Sequence, residues 1–197
     1  MNTETPTPER LAAFSDGVIA VIITIMVLDL KAPHGTSWRI LLPLWPTFLA
    51  YALSYLFVGV YWSNHHYLWQ GASRADHKLV GANLLSLFTV SLIPFCTAYV
   101  AENEFARFPM ALYAAVILLA TVAYWLLQLA VRGQAGSPGS LSFGPRDGLS
   151  GAAFVAAVPA AYLFAWLSFA LILAGVMVYL LPVALTSRLN QGSRQQV

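Results

Sequence analysis

An all-α integral membrane protein with six transmembrane helices is the fold class that the sequence predicts. Hydrophobic residues fill 59% of the 197 positions and charged residues only 9%, where a soluble domain carries about 25% charged residues. Mean hydropathy is +0.70, and the apolar residues gather in runs of the ~20 residues that a bilayer-spanning helix needs. A net charge of +2 carried by scattered basic residues offers no nucleic-acid surface. Cys96 is the only cysteine, so neither an intrachain disulfide nor a cysteine zinc framework is expected.

Four spans are clear, near residues 8–30, 44–69, 78–100 and 109–131. The run from Leu149 to Thr186 is too long for one span and just long enough for two short ones, with a tight turn expected between Trp166 and Ala170. One long tilted helix kinked at Pro159 and Pro182 is the alternative. Helix 1 has a marked start, because Thr7 can cap it, Pro8 suits the first helical position, and Glu9 meets the positive end of the dipole. The residues before it are polar and lack lysine and arginine, and Asp16 interrupts the apolar run, so helix 1 reads as a retained span rather than a cleaved signal. Residues 132–148, rich in Gly, Ser and Pro, read as a flexible connection, and residues 1–197 read as one six-helix domain without internal repeats.

Basic residues favour the cytoplasmic side of membranes. With the N-terminus inside, Arg10, Arg74, Lys78, Arg132, Arg146, Arg188 and Arg194 lie inside, against Lys31, Arg39 and Arg107 outside. That asymmetry predicts both termini in the cytoplasm of a multi-pass protein of the cell inner (plasma) membrane. It also puts Asp29, Glu102 and Glu104 on the outer side, either as carboxylates that concentrate cations or as solvated loop residues.

The first helix carries the most information. At about 100° per residue, Arg10, Phe14, Gly17, Val21, Thr24 and Leu28 fall in one narrow sector, with Ile25 on its flank. Ser15 and Asp16 point away from it, Ser15 to one side and Asp16 to the other. Charges within the bilayer cost several kcal/mol unless protein partners meet them. Asp16 lies ~12 Å along the helix from Pro8, a depth shared by His65 and His66 near the inner end of helix 2 and by Asn83 near the start of helix 3. A buried polar network joining Arg10, Ser15 and Asp16 to some of His65, His66, Asn83 and Trp62 is therefore expected, fixing the angle of helix 1. The apolar sector either packs against other helices or, repeated around a symmetry axis, forms a constriction that opens by widening and wetting.

Arg10-x-x-x-Phe14-Ser15-Asp16, followed by an apolar helix containing Thr24, resembles the signature of the transmembrane protein 175 family of potassium channels. Trp62-Ser63-Asn64-His65-His66, Asn83-Leu84-Leu85 and Ser91-Leu92-Ile93-Pro94-Phe95 extend the likeness over the first hundred residues. The resemblance implies a homotetramer in which helix 1 of each subunit lines a central pathway for K+, with no cofactor and with no partners beyond membrane lipid, potassium ions and further copies of the chain. Its constriction would be built from Val21, Thr24, Ile25 and Leu28. Arg10, Phe14, Ser15, Asp16, Trp62, His65, His66 and Asn83 would support it. The family's inner apolar ring often carries isoleucine or leucine, and Val21 is smaller, which predicts a wider ring at that level.

Two rival functions remain on residue grounds: proton permeation, for which the imidazole of His65 or His66 is the candidate carrier, and secondary transport, which calls for broken helices or repeats that the sequence lacks. An enzyme would need a convergent metal set such as His65, His66, Asp76 and His77, but neighbouring helical residues diverge by about 100° and the latter two lie in a loop. No catalytic or metal-binding residues are assigned.

Overall fold

The computed structural model describes residues 7–134 and 144–180. It contains seven helices: α1 (Pro8–Met26), α2 (Trp45–Trp69), α3 (His77–Ser91), α4 (Ile93–Glu102), α5 (Arg107–Arg132), α6 (Pro145–Leu163) and α7 (Ala165–Leu180). A 3-10 turn, Val27–Asp29, extends α1, and a 3-10 segment, Trp38–Leu44, leads into α2. The helices α3 and α4 follow one another across Leu92, where Pro94 removes a backbone donor from the first turn of α4. The described chain thus forms six rods, and four of them are long and apolar enough to cross a membrane: Pro8–Asp29, Trp38–Trp69, His77–Glu102 and Arg107–Arg132. The protein is a multi-pass membrane protein of the predicted all-α class.

Local chemistry sets the helix ends. Thr7 Oγ1 accepts from Arg10 N at 3.4 Å with Pro8 in the first turn, as the sequence predicts. Asp76 caps α3 by accepting from Leu79 N at 2.9 Å, and this bond, with Arg74 Nε 3.4 Å away, holds its carboxyl below the usual carboxylate range. Asp147 accepts from Gly144 N at 2.8 Å and from Tyr179 Oη at 2.8 Å, tying the start of α6 to the end of α7.

The last two rods form a hairpin rather than one kinked helix. The turn falls at Phe164, whose backbone is extended (φ −156, ψ 114), two residues before the expected window. Trp166 explains the shift: it stacks on Phe105 at 4.7 Å and on Trp45 at 5.6 Å, which commits it to the start of α7. Gly175 packs against the Phe154 ring, where a Cβ would collide, so the hairpin closes tightly. Pro159 lies inside α6. Pro182, Arg188, Arg194 and most of the 132–148 connection lie outside the described residues.

The rods are not equally buried. Half of the apolar window of α5 is enclosed by the subunit, against 22% of the window of Pro8–Asp29. α5 is the central post, and α1 is attached by one side.

Candidate functional site

The two faces of α1 have opposite fates. Ser15, Ile19, Ile22 and Met26, spaced by four, three and four residues, are buried against α2, α3 and α4. Arg10, Phe14, Gly17, Val21, Thr24, Ile25 and Leu28 are exposed, Leu28 by 72%. All seven residues of the predicted stripe therefore share a bare surface. Thr24 is the one hydroxyl on it, and its Oγ1 donates to Val21 O at 3.0 Å. With its proton engaged on the helix's own carbonyl, the oxygen presents only lone pairs outward, which suits a cation.

The opposite side of α1 is held by directional hydrogen bonds. Trp69 Nε1 donates to His65 Nδ1 at 3.1 Å, so the proton of the neutral imidazole sits on Nε2. His65 Nε2 then donates to Asn83 Oδ1 at 3.0 Å, Asn83 Nδ2 donates to Ser15 Oγ at 3.0 Å, and Ser15 Oγ donates to Leu11 O at 2.8 Å. His65, Asn83 and Ser15 are fully buried. Every link in this chain is satisfied, and α2, α3 and α1 are joined in one register. It also stops at both ends, because an indole N–H only donates and a carbonyl only accepts. A proton relay needs groups that do both, so the chain is a staple and not a wire.

Asp16 is positioned separately. Its Oδ1 accepts from Trp62 Nε1 at 2.9 Å on the partly exposed edge between α1 and α2. The structure therefore brings together Ser15, His65 and Asn83 in one group, and Asp16 with Trp62 in another. His66 is exposed and lies beside the Trp62 ring at 5.7 Å, outside both groups. Arg10 is exposed, and no hydrogen bond or ion pair of its side chain is found among the described residues. Phe14 sits on the bare face, 52% exposed.

Beyond the end of α1, Asp29 and Glu102 line a cavity of about 430 Å³ together with Lys31 and Thr47, while Glu104 is not among its walls. The lysine makes this space mixed in charge. Among the described residues no three of His, Cys, Asp and Glu are grouped to hold a metal.

Sequence reasoning missed a second buried polar cluster. Ser54 Oγ lies 2.6 Å from Thr97 Oγ1 and 2.8 Å from Tyr113 Oη, linking α2, α4 and α5, and Tyr61 Oη lies 2.6 Å from Ser86 Oγ. Small hydroxyl residues within apolar spans were the available signal. Gln134, buried at the end of α5, accepts from Ser73 N and Arg74 N and donates to Arg74 O at 2.7 Å, clamping the loop after α2.

Comparison with known proteins agrees with this geometry. The profile of the family described as endosomal/lysosomal potassium channel TMEM175 matches residues 10–94, the segment that holds both the stripe and the staple. A potassium channel of Chryseobacterium sp. (strain P1-3) is 47% identical over 122 residues, covering 62% of this chain and 64% of that protein. A potassium channel of Streptomyces collinus is 36% identical over 126 residues, covering 60% and 61%. The chain thus spans a little under two thirds of these relatives. The human endosomal/lysosomal proton channel TMEM175 is 32% identical over 181 residues, 81% of this chain and 35% of that one. The crystal structure of a lysosomal potassium-selective channel TMEM175 homolog from Chamaesiphon minutus superposes with a TM-score of 0.70 at 28% identity, covering 87% of this chain and 95% of that one. By these matches and by a fold shared along nearly the whole of a solved homolog, the chain belongs to the TMEM175 family, a family of ion channels and not of enzymes.

Proposed function

We propose that this chain is the subunit of a potassium-permeable channel in which α1 of each copy lines a central pore. Residues 1–197 act as one channel domain, four copies assemble around the axis, and both termini face the cytoplasm of the cell's inner (plasma) membrane. Val21, Thr24, Ile25 and Leu28 form the constriction, where an ion sheds or rearranges water beside apolar rings and the Thr24 oxygens. The Ser15–Asn83–His65 staple and the Asp16–Trp62 pair hold that face at its angle, and K+ passes without any cofactor.

The observation that carries this reading is the contrast across α1. One side is fastened by a fully satisfied polar chain, while the opposite stripe, with its single outward hydroxyl oxygen, is exposed along its whole length. A helix packed only for stability would not need such directional fastening of one side. The test is reconstitution in liposomes with opposing K+ and Na+ gradients. A reversal potential near the potassium value that shifts in Leu28→Ala is expected, and assembled protein without a K+-selective potential would sink the proposal.

Proton permeation is the second reading, favoured by the names of the vertebrate relatives. The dead-ended hydrogen-bond chain speaks against a relay through His65. Imposing a pH gradient in the same liposomes separates the two, since a proton-permeable pore would move the potential with pH.

A further inference from the structure

Trp62-Ser63-Asn64-His65-His66 is used only in part by the pore scaffold: Trp62 reaches Asp16 and His65 reaches Asn83. Asn64 lies two residues from Trp62, about 200° around α2, and so faces away from α1. There it lines a lateral groove of about 180 Å³ between α2 and α7, walled by Tyr55, Leu56, Gly59, Val60 and Tyr179 with Ser63 beside it. Val60, Asn64 and Tyr179 also line an inner recess of about 40 Å³ that reaches the ring of Phe154, so groove and recess share a wall. Among the described residues no hydrogen bond is found for the side chains of Ser63 or Asn64. An amide with unused donors and acceptors at membrane depth costs free energy unless something polar meets it.

We infer that this groove is a phospholipid site, with the lipid's ester and glycerol oxygens against Asn64 and Ser63 and part of one acyl chain along Leu56 and Val60. Depth supports this occupant. Asn64 lies five residues from the end of α2, about 7.5 Å from it, and the exposed rings of Trp62 and Tyr67 mark the boundary layer between head groups and hydrocarbon. Shape supports it as well: a slot of this volume admits a chain a few atoms wide, whereas a helix of a second subunit is about 10 Å across. Gly59 leaves open space where a side chain would otherwise fill the slot.

The test is photolabelling of the full chain in liposomes with a phospholipid carrying a diazirine near its acyl carbonyl, mapped by peptide mass spectrometry. Labelling at Leu126, exposed on α5 at a similar distance from that helix's end, serves as the reference for ordinary lipid contact. Residues 55–64 and 179–180 should be labelled well above Leu126. Asn64→Leu should lower that ratio about tenfold, the value of one good hydrogen bond in an apolar setting. Gly59→Phe should abolish it by filling the slot. Groove labelling no stronger than at Leu126, or a ratio unchanged in both variants, would overturn the site. The wild-type ratio decides alone if a variant fails to insert. No ion flux enters the readout, so this result stands apart from that of the channel assay.

Discussion

α5 and α1 are both apolar, of membrane length, and helical throughout, yet they are built for different ends. Half of α5 is enclosed, with Met110, Ala114, Ile117, Ala120 and Leu127 at zero exposure. Its small residues let neighbouring helices approach closely, which is how spans associate where lipid removes the hydrophobic driving force. α1 is enclosed on one side only, where Ile19, Ile22 and Met26 pack beside the hydrogen bonds of Ser15. A helix that must present a fixed face to a pathway benefits from directional fastening, because a hydrogen bond specifies rotation where a packed alanine does not.

That comparison can be broken from the fastening first. Asn83→Leu strands the buried His65 donor and leaves Ser15 only its bond to Leu11 O, and should lower subunit stability by about 2 kcal/mol, within the 1–3 kcal/mol for one buried group left unpaired. Reversible unfolding in mixed micelles would measure it; a change under half of that would mean that α1 is held by packing after all. On the post, Ile117→Ala should cost about 2 kcal/mol, since the cavity penalty persists in lipid although the transfer penalty does not. The same truncation on the bare stripe, Leu28→Ala or Thr24→Ala, should move stability by less than about 0.5 kcal/mol. Each should nonetheless shift the potassium to sodium permeability ratio in liposomes. A stripe variant that destabilised the subunit as much as Ile117→Ala would identify that face as buried packing.

Smaller effects sharpen the picture. Asp16→Asn keeps an acceptor for Trp62 Nε1 and loses only the charge on a partly exposed bond, so it should cost under about 1 kcal/mol; Asp16→Leu, which removes the acceptor, should cost more in the same assay. Asp76 gives the least change. Its carboxyl is held below the usual range by the Leu79 N–H it caps and by Arg74, so the stabilisation is present above the ordinary carboxylate pKa and fades as pH falls through the lowered one. An Asp76→Asn variant keeps a capping side-chain oxygen but loses the titrating group, and acid titration of its melting temperature should lack this component.

Much of α1 was legible in the sequence, because a 100° period sorts residues by face without knowledge of any neighbour. Phe14, Gly17, Val21, Thr24 and Leu28 fell on one face and Ser15 on another for that reason alone. Which polar groups would meet was less legible. The expected network joined Arg10, Ser15 and Asp16 to some of His65, His66, Asn83 and Trp62, and the structure places Ser15 with Asn83 and His65, Asp16 with Trp62, and Arg10 and His66 exposed outside both groups. The Ser54–Thr97–Tyr113 cluster was hidden for a different reason. A Ser or Thr within a helix can spend its proton on a carbonyl three or four residues back, as Thr89, Ser91 and Thr121 do, so sequence alone does not tell which hydroxyls reach across. The turn at Phe164 depended on a stack formed by residues far apart in the chain, and no local pattern encodes that.

That stack has a consequence for how the molecule is made. Glu104 and Phe105 adopt left-handed backbone (φ 48 and 58), a conformation that non-glycine residues avoid at a cost of about 1 kcal/mol each, and the reward is Phe105 set parallel to Trp45 and against Trp166. Trp45 and Phe105 leave the ribosome before Trp166. Until it arrives, Trp45 and Phe105 have only each other's faces, and the turn between α4 and α5 rests on its own backbone bonds, Phe105 N to Val100 O at 3.0 Å and Ala106 N to Asn103 O at 2.9 Å. Insertion of the nascent chain therefore includes a step of closure: the α6–α7 hairpin completes a three-ring stack begun by α2 and the α4–α5 turn.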